Sequence, residues 1–277
     1  MHSVSSGPVP EAAAALLERV GSGRLVALGG GRVIDTAKAI GSVSGAAVAA
    51  IPTTLSGAEV TGIHRLPAGA EGRATGLIRP ELAIADPDAM TGLAEPALRA
   101  SAMNSLAHGA DSLYTPLANP VSRMTALRGA ELIAAALDEA RQRRDRASLA
   151  LGSLLCAYAI DSALFGLHHV ICQTLVRVCG SPHAETNAVV LPETMAFMAS
   201  RAPRQIAHLE RAVGADPGGI RGRIRTLGGE PAGLGALGAE RSRLGEALDA
   251  MLSRAELAHT PRPPTRAELE QLVEAAW

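Results

Sequence analysis

Polar side chains with ligand or proton-transfer chemistry lie at helical spacing in otherwise apolar parts of the sequence. Asn104 and His108 are four residues apart, as are His169 and Gln173, so each pair projects from one face of a helix. His183 follows a Gly-Ser-Pro break and begins another helical segment. We therefore expect the three imidazoles to converge, with Asn104, on one cleft that faces the N-terminal glycine turn.

Such a set of groups suits two kinds of chemistry. The imidazoles of His108, His169 and His183 could hold zinc or iron, which prefer nitrogen ligands of this type, but Asn104 brings no charge to offset a dication. The same groups can donate hydrogen bonds to an oxygen that becomes negative during a reaction. The residues alone leave both alternatives open, together with a purely structural role for each single histidine.

A second candidate site lies near the N-terminus. Gly29, Gly30 and Gly31 stand between a β-type run and a helical segment, where backbone N–H groups and the helix dipole can receive a phosphate. A bare triple glycine is more often a tight turn. However, Thr53 and Thr54 follow the next strand run, so on a parallel sheet they reach the same carboxyl edge. We expect a phosphate-binding edge there.

The elements that carry these residues fall into two parts. Short strand runs alternate with helical segments up to residue 92, which predicts an α/β domain with a parallel sheet over residues 1–92. Residues 93–277 predict an all-α domain, because Ala/Leu-rich segments with a period near 3.6 replace the strands. The predicted helices are 97–114, 123–141, 146–178, 184–200, 220–227 within a long loop region, 241–257 and 266–276.

Composition excludes several function classes. The net charge of -1 gives no basic field for nucleic acid and no polybasic membrane patch. Three cysteines without a CxxC pattern favour reduced thiols and a cytoplasmic protein. The N-terminus does not resemble a secretion signal, and the apolar run 147–160 is too short for a comfortable membrane span.

A set of motifs occurs in order along the sequence: 29–38 (GGGRVIDTAK), 52–59 (PTTLSGAE), 86–87 (DP), 101–108 (SAMNSLAH), 118–120 (ANP), 166–169 (GLHH), 181–186 (SPHAET) and the 261–277 ending. Together they resemble the maleylacetate reductase branch of the iron-containing alcohol dehydrogenase superfamily. The resemblance extends from about residue 10 to the last residue. It implies the dehydroquinate-synthase-like architecture of that superfamily, with a dinucleotide-binding α/β domain, a helical domain and an active site in the cleft between them.

The resemblance also implies an activity and its residues. The branch uses NADH or NADPH to reduce the double bond of an unsaturated oxo acid, and its members are expected to be homodimers. By resemblance the cofactor-binding residues are Gly29, Gly30, Gly31, Asp35, Thr53, Thr54 and Ser56. The catalytic residues are Asn104, His108, His169, Gln173 and His183. A divalent metal, iron or zinc, on His108, His169 and His183 is possible but not required, since Asn104 stands where alcohol-reducing branches have Asp.

The sequence departs from the family pattern in two places. Family members have a further strand–helix–strand portion before the glycine turn, so we expect fewer contacts to the adenosine half of the cofactor. Gln173 replaces a second histidine, and Val176 and Arg177 replace a Gly-Gly pair; Arg177 either fills cofactor space, points outward or binds a substrate carboxylate. The alternative function is a weakened paralogue that acts as a binding or assembly module. A metal-dependent hydrolase ranks last, because no HExxH motif occurs.

Overall fold

The computed structural model describes residues 1–20, 23–138 and 145–277, and strands alternate with helices only in the first part of the chain. Contacts between residues divide the chain into two units, Met1–Leu93 and Ala94–Trp277. The first unit contains α1 (Val9–Leu17), β1 (Leu25–Gly29), α2 (Gly31–Ser44), β2 (Val48–Pro52), a 3-10 turn (Glu71–Arg73), β3 (Leu82–Ala83) and α3 (Pro87–Met90).

The strands of the first unit form a parallel sheet in the order β1-β2-β3. Parallel neighbours need a crossover, and α2 connects β1 to β2. Ile34 on α2 packs with Ala27 and Ala50, so α2 covers one face of the sheet. Val26 and Leu28 point to the other face and are 68% and 63% exposed. The predicted parallel α/β layer is confirmed, with one apolar face open to water within the described chain.

The second unit is helical over its described residues, as predicted. Its helices are α4 (Glu95–Ser112), α5 (Pro120–Leu137), α6 (Arg146–Ala163), α7 (Leu167–Cys179), α8 (His183–Met198), α9 (Pro203–Val213), α10 (Ile220–Leu227), α11 (Leu244–Leu252) and α12 (Arg266–Ala275). Small residues let α4, α5 and α6 approach closely: a Cβ on Gly109 would lie 2.8 Å, and one on Gly129 2.6 Å, from Cys156 Sγ. A core with few aromatic residues is built in this way.

The predicted helix 146–178 is wrong as a single element, because it is two helices bent by 98°. Leu164 has a φ of 58°, a left-handed conformation that interrupts α6. Gly166 then precedes α7, and a Cβ on it would lie 2.7 Å from Tyr114. The amides at the start of α7 donate to the buried carboxylate of Asp111 instead of continuing α6. The break therefore places His169 in the first turn of a new helix.

Other boundaries differ less from the prediction. Helix α9 was not predicted, and the predicted helix 241–257 is α11 flanked by 3-10 turns at Arg241–Arg243 and Ala255–His259. The predicted end of helix 123–141 lies outside the described residues. Thr265 and Glu268 form the predicted capping box of α12. Among the described helices none is long and apolar enough to cross a membrane alone. The bent pair α6 and α7, taken together, has the length and apolar composition of a membrane span.

Candidate active site

The glycine turn of the first unit lies against the segment that follows β2. A Cβ on Gly30 would lie 2.9 Å from Thr54 Cγ2, and one on Gly31 would lie 3.0 Å from Ser56, so a larger residue would require these neighbours to shift. Thr53 N–H donates to Gly29 O at 3.0 Å. The polar groups at the carboxyl ends of β1 and β2 therefore form one continuous edge.

This edge fits the pyrophosphate of a dinucleotide. Helix α2 begins at Gly31, and its N-cap Gly30 has no side chain to cap the free amides. Thr54 Oγ1 is buried and has no hydrogen-bond partner among the described residues. A bound phosphate would satisfy both the amides and this hydroxyl. Thr53 and Ser56, the other predicted cofactor residues after β2, lie on the same segment.

Lys38, the single lysine of the protein, holds the loop that follows this edge. Its side chain is fully buried, and Nζ donates to the carbonyl oxygens of Ala58, Thr61 and Ile63 at 3.0, 3.0 and 3.1 Å. The fourth neighbour is Asp35 Oδ1 at 2.7 Å. Asp35, a predicted cofactor residue, therefore has one oxygen engaged by Lys38. The ammonium group is saturated and acts as a scaffold.

Glu59 lies in the same loop and is 1% exposed. Neither of its carboxylate oxygens has a hydrogen-bond partner in the described part of the chain. Burial raises the pKa of Glu59 to about 7, against smaller opposing effects of its own backbone amide and of Lys38. A protonated, neutral carboxyl group is therefore the form that this site favours in mildly acidic solution.

The second unit brings His108 and His169 together. Their rings stack with centroids 5.1 Å apart, and Asn104 lies one turn before His108 on α4. Within this cluster, three buried atoms have no hydrogen-bond partner among the residues that the structure describes: Asn104 Oδ1, His108 Nδ1 and His169 Nε2. We call them the open atoms. Buried polar groups are normally satisfied, so open atoms point to a ligand.

Asp111 anchors the other side of the His169 ring. His169 Nδ1 lies 2.8 Å from Asp111 Oδ2, and the carboxylate accepts from Tyr114 Oη and from the amides of Gly166, His168 and His169. Burial would raise the pKa of Asp111, but the hydrogen bond and charge of His169 outweigh it and lower the pKa below its usual value. Asp111 is therefore an ionised acceptor.

His168, which immediately precedes His169, has a different environment. It is fully buried, with Nε2 2.8 Å from Asn187 Oδ1 and Nδ1 3.0 Å from Thr194 Oγ1. Burial, then the neighbouring His169, lowers the pKa of His168 to about 3. Asn187 in turn donates to His183 O at 2.7 Å. The neutral His168 ring ties α7 to α8 and offers nothing to a ligand.

His183 and Gln173 complete the predicted set. His183 starts α8 and is exposed to water, yet crowding by protein atoms, then the neighbouring His169, lowers its pKa to about 4. The pKa of His108 is lowered well below its usual value by burial, then by His169 and His183. Gln173 is half-buried one turn after His169, and Arg177 is exposed one turn further on. Neutral imidazoles therefore surround His169.

The donor set does not fit a divalent metal. Among the described residues, no three His, Cys, Asp or Glu side chains are placed to hold a metal ion. The carboxylate that touches the cluster, Asp111, already accepts hydrogen bonds on both oxygens. Asn104, a neutral amide, is a poorer metal ligand than a carboxylate. In this structure His108, His169 and His183 are therefore not placed as three ligands of one metal ion.

Sequence reasoning missed Asp111, Tyr114 and Asn187. Asp111 follows His108 by three residues, so the face that carries Asn104 and His108 continues through it. A carboxylate in an apolar helix, one turn from a histidine, was the available signal. The signal for Asn187 was weaker, because the position of its partner His168 depends on the bend between α6 and α7.

Comparison with known proteins gives consistent matches. The profile of the Fe-containing alcohol dehydrogenase family, C-terminal, matches residues 99–277, and that of iron-containing alcohol dehydrogenase matches residues 5–87. Maleylacetate reductase 1 of Rhodococcus opacus is 36% identical over 263 residues, covering 91% of this chain and 72% of that protein. Maleylacetate reductase of Burkholderia cepacia is 33% identical over 284 residues, covering 98% and 79%.

A solved structure shows the same likeness. The crystal structure of maleylacetate reductase from Agrobacterium tumefaciens superposes with a TM-score of 0.85 at 30% identity. The superposition covers 100% of this chain and 81% of that one.

Proposed function

This chain belongs to the iron-containing alcohol dehydrogenase family, a family of NAD(P)-dependent oxidoreductases, and we propose that it reduces the carbon–carbon double bond of maleylacetate to give 3-oxoadipate. Relatives at 30–36% identity with this name support the substrate. The observation in the structure that carries the proposal is the His169 ring, anchored at Nδ1 by Asp111 and open at Nε2.

The predicted residues have distinct roles in this proposal. The edge formed by Gly29, Gly30, Gly31, Thr53 and Thr54 would hold the pyrophosphate of NADH or NADPH. Ser56 keeps that edge closely packed, and Asp35 keeps Lys38 in place. When bound, the dinucleotide supplies the hydride.

The cluster in the second unit handles the charge that the reduction creates. Hydride addition to the carbon β to the ketone moves an electron pair onto the ketone oxygen, which becomes an enolate. In its imidazolium form, held at Nδ1 by Asp111, His169 donates from Nε2 a hydrogen bond or the proton itself to that oxygen. The enol then returns to the ketone as its α-carbon takes a proton, so one hydride and one proton are added in total.

Asn104 and His108 flank His169 and orient the substrate. Both carry open atoms, and neither brings a charge that would compete for the proton. An enone needs less activation than an alcohol, because conjugation already polarises its double bond. Hydrogen-bond donors therefore suffice for the proposed reaction, and no step in it requires a metal.

A binding titration followed by a rate assay tests the proposal. NADH and NADPH are titrated onto the purified chain by fluorescence, and maleylacetate is then added while cofactor absorbance is followed. We expect cofactor binding and one 3-oxoadipate for each cofactor oxidised. Binding of the cofactor without any 3-oxoadipate would refute the substrate, and a failure to bind either cofactor would refute the oxidoreductase.

We also propose that the enzyme is a cytoplasmic homodimer. The three cysteines are free and buried, which suits a reducing compartment. Light scattering coupled to size-exclusion chromatography tests the dimer, since a mass near the 28.3 kDa of one chain would contradict it.

A further inference from the structure

Asp111 and His169 form a buried pair, and backbone amides donate to both oxygens of the carboxylate. Oδ2 lies 2.8 Å from His169 Nδ1 and accepts from Gly166 N at 3.1 Å and from His169 N at 3.2 Å. Oδ1 accepts from Tyr114 Oη and from His168 N at 3.4 Å. Asp111 is fully buried, so water does not compete for these contacts.

We propose that Asp111 is the positioning residue that keeps a proton on Nδ1 of His169 and thereby turns Nε2 toward the substrate. Backbone amides can only donate, and they bind both oxygens of Asp111, so the hydrogen in the contact with Nδ1 belongs to the ring. With Nδ1 committed, Nε2 is the one ring atom left to act on a ligand. The role of Nε2 rests on the proposed reduction, whereas the assignment of the Nδ1 proton does not.

The remaining contacts of Asp111 explain why it can hold the ring in one orientation. Tyr114 lies one turn after Asp111 on the same chain segment, and its hydroxyl binds the oxygen that does not face the ring. The amides of Gly166, His168 and His169 hold the carboxylate at the start of α7. The ring and the carboxylate are thus fixed to the same helix terminus. Rotation of either would break contacts of the other.

A helix cap alone would not need the ring contact. The amides of Gly166, His168 and His169 satisfy the capping role of a carboxylate whatever the state of the imidazole. The contact between Oδ2 and Nδ1 is additional, and the opposite ring atom, Nε2, is an open atom. The His169 ring is thus held at Nδ1 and unpaired at Nε2, which is the arrangement expected of a ring that is positioned to act on a ligand.

The first experiment identifies the protonated nitrogen directly. The full chain is labelled with ¹⁵N-histidine, and long-range proton–nitrogen spectra are recorded; the His169→Gln variant assigns the ring by loss of its signals. We expect Nδ1 of His169 to carry a proton, in the neutral ring or in the imidazolium. A bare Nδ1 would overturn the proposal, and this readout needs neither substrate nor cofactor.

The second experiment removes the carboxylate. Asp111→Asn keeps an oxygen that can accept from Nδ1 but loses the charge, and Asp111→Ala loses both. We expect kcat to fall about 10- to 100-fold in Asp111→Asn, more in Asp111→Ala, with KM nearly unchanged because Asp111 does not reach the substrate. The Asp111→Ala ring should also lose its preference for a proton on Nδ1.

A matched control separates positioning from loss of stability. Thr115 is buried next to Tyr114, and its hydroxyl donates to Ala163 O at 2.6 Å, so Thr115→Val removes a local hydrogen bond without touching His169. We expect a lower melting temperature with an unchanged kcat. If folded Asp111→Asn also kept its kcat, the positioning role would be wrong. If the wild-type chain did not reduce maleylacetate, the proposed function would fail while the nitrogen spectra still decided the role of Asp111.

Discussion

Each unit of the molecule buries a charged group beside a row of chemically useful residues, but the two groups are used differently. In the first unit, Lys38 Nζ gives its hydrogen bonds to the carbonyls of one loop and contacts Asp35. In the second unit, Asp111 is just as saturated, but the His169 ring that it holds keeps an open atom. Lys38 therefore only holds the backbone of its loop, whereas Asp111 holds a ring that still has an unpaired nitrogen, Nε2 of His169.

The difference shows how buried polarity can be sorted into structural and functional groups. A saturated group fixes the backbone around it, and its loss leaves several partners unsatisfied. An open group has been desolvated without compensation, which a ligand can supply. We therefore expect changes at Lys38 to affect stability, and changes at His169 to affect rate.

The largest expected effect is on rate at His169. His169→Gln removes the group that protonates the forming enolate in the proposed reaction, and kcat should fall by about 10²- to 10⁴-fold. The exposed His208→Gln serves as the matched control and should leave kcat unchanged. Steady-state rates with saturating cofactor measure both. A His169→Gln rate equal to that of the control would remove His169 from the mechanism.

Loss of Lys38 should destabilise the first unit. Lys38→Met leaves Asp35 and the carbonyls of the loop without their ammonium partner, and breaking a buried pair on one side costs about 3–5 kcal/mol. Urea unfolding measures this free energy. The exposed Arg32→Met, on the same helix, should change it little. Equal effects of the two variants would contradict the scaffold role.

Glu59 should make stability fall with rising pH. Its folded-state pKa of about 7 is above the ordinary 4.5, so the folded protein keeps a proton that the unfolded chain loses between these values. The stability present below pH 4.5 is therefore lost as pH rises toward 7, by about 1.4 kcal/mol for each unit of pKa shift. Glu59→Gln should lack this loss. Urea midpoints at several pH values test it, and parallel curves for both proteins would contradict it.

Gln173 gives a smaller gain. Gln173 lies one turn after His169, and Gln173→His, with Arg177→Gly, should raise the rate of NADH-dependent reduction about tenfold, below the full value of a general acid. Arg177→Gly alone should not raise it, because Arg177 is exposed. Rates of the single and double variants, measured with NADH binding confirmed, decide this. No gain in the double variant would show that proton transfer at this position does not limit turnover.

Metal removal should have no effect. Treatment with a chelator should leave the reduction rate unchanged, because the imidazoles and Asn104 are arranged for hydrogen bonding. Loss of the rate, restored by added zinc or iron, would show instead that the rings move to form a metal site.

Local patterns in the sequence were enough to predict much of this fold. Helical spacing placed Asn104 beside His108, and turn chemistry placed the glycines at a strand end, since both depend on near neighbours. The break at Leu164 and the role of Asp111 could not be predicted in the same way. Both depend on contacts across more than fifty residues, between Asp111 and the amides that begin α7. The contacts of Lys38 with the loop at residues 58–63 also join separate elements, 20 to 25 residues apart, and could not be read from local patterns.

The most direct test of the account is the fate of the transferred hydride. The chain is given maleylacetate and NADH carrying deuterium at the hydride position, and the product is analysed by mass spectrometry and NMR. We predict 3-oxoadipate with one deuterium on the methylene β to the ketone, where it does not exchange with water. A hydroxy acid with deuterium on the carbinol carbon would contradict the account, because it would mean that the carbonyl, and not the double bond, is reduced.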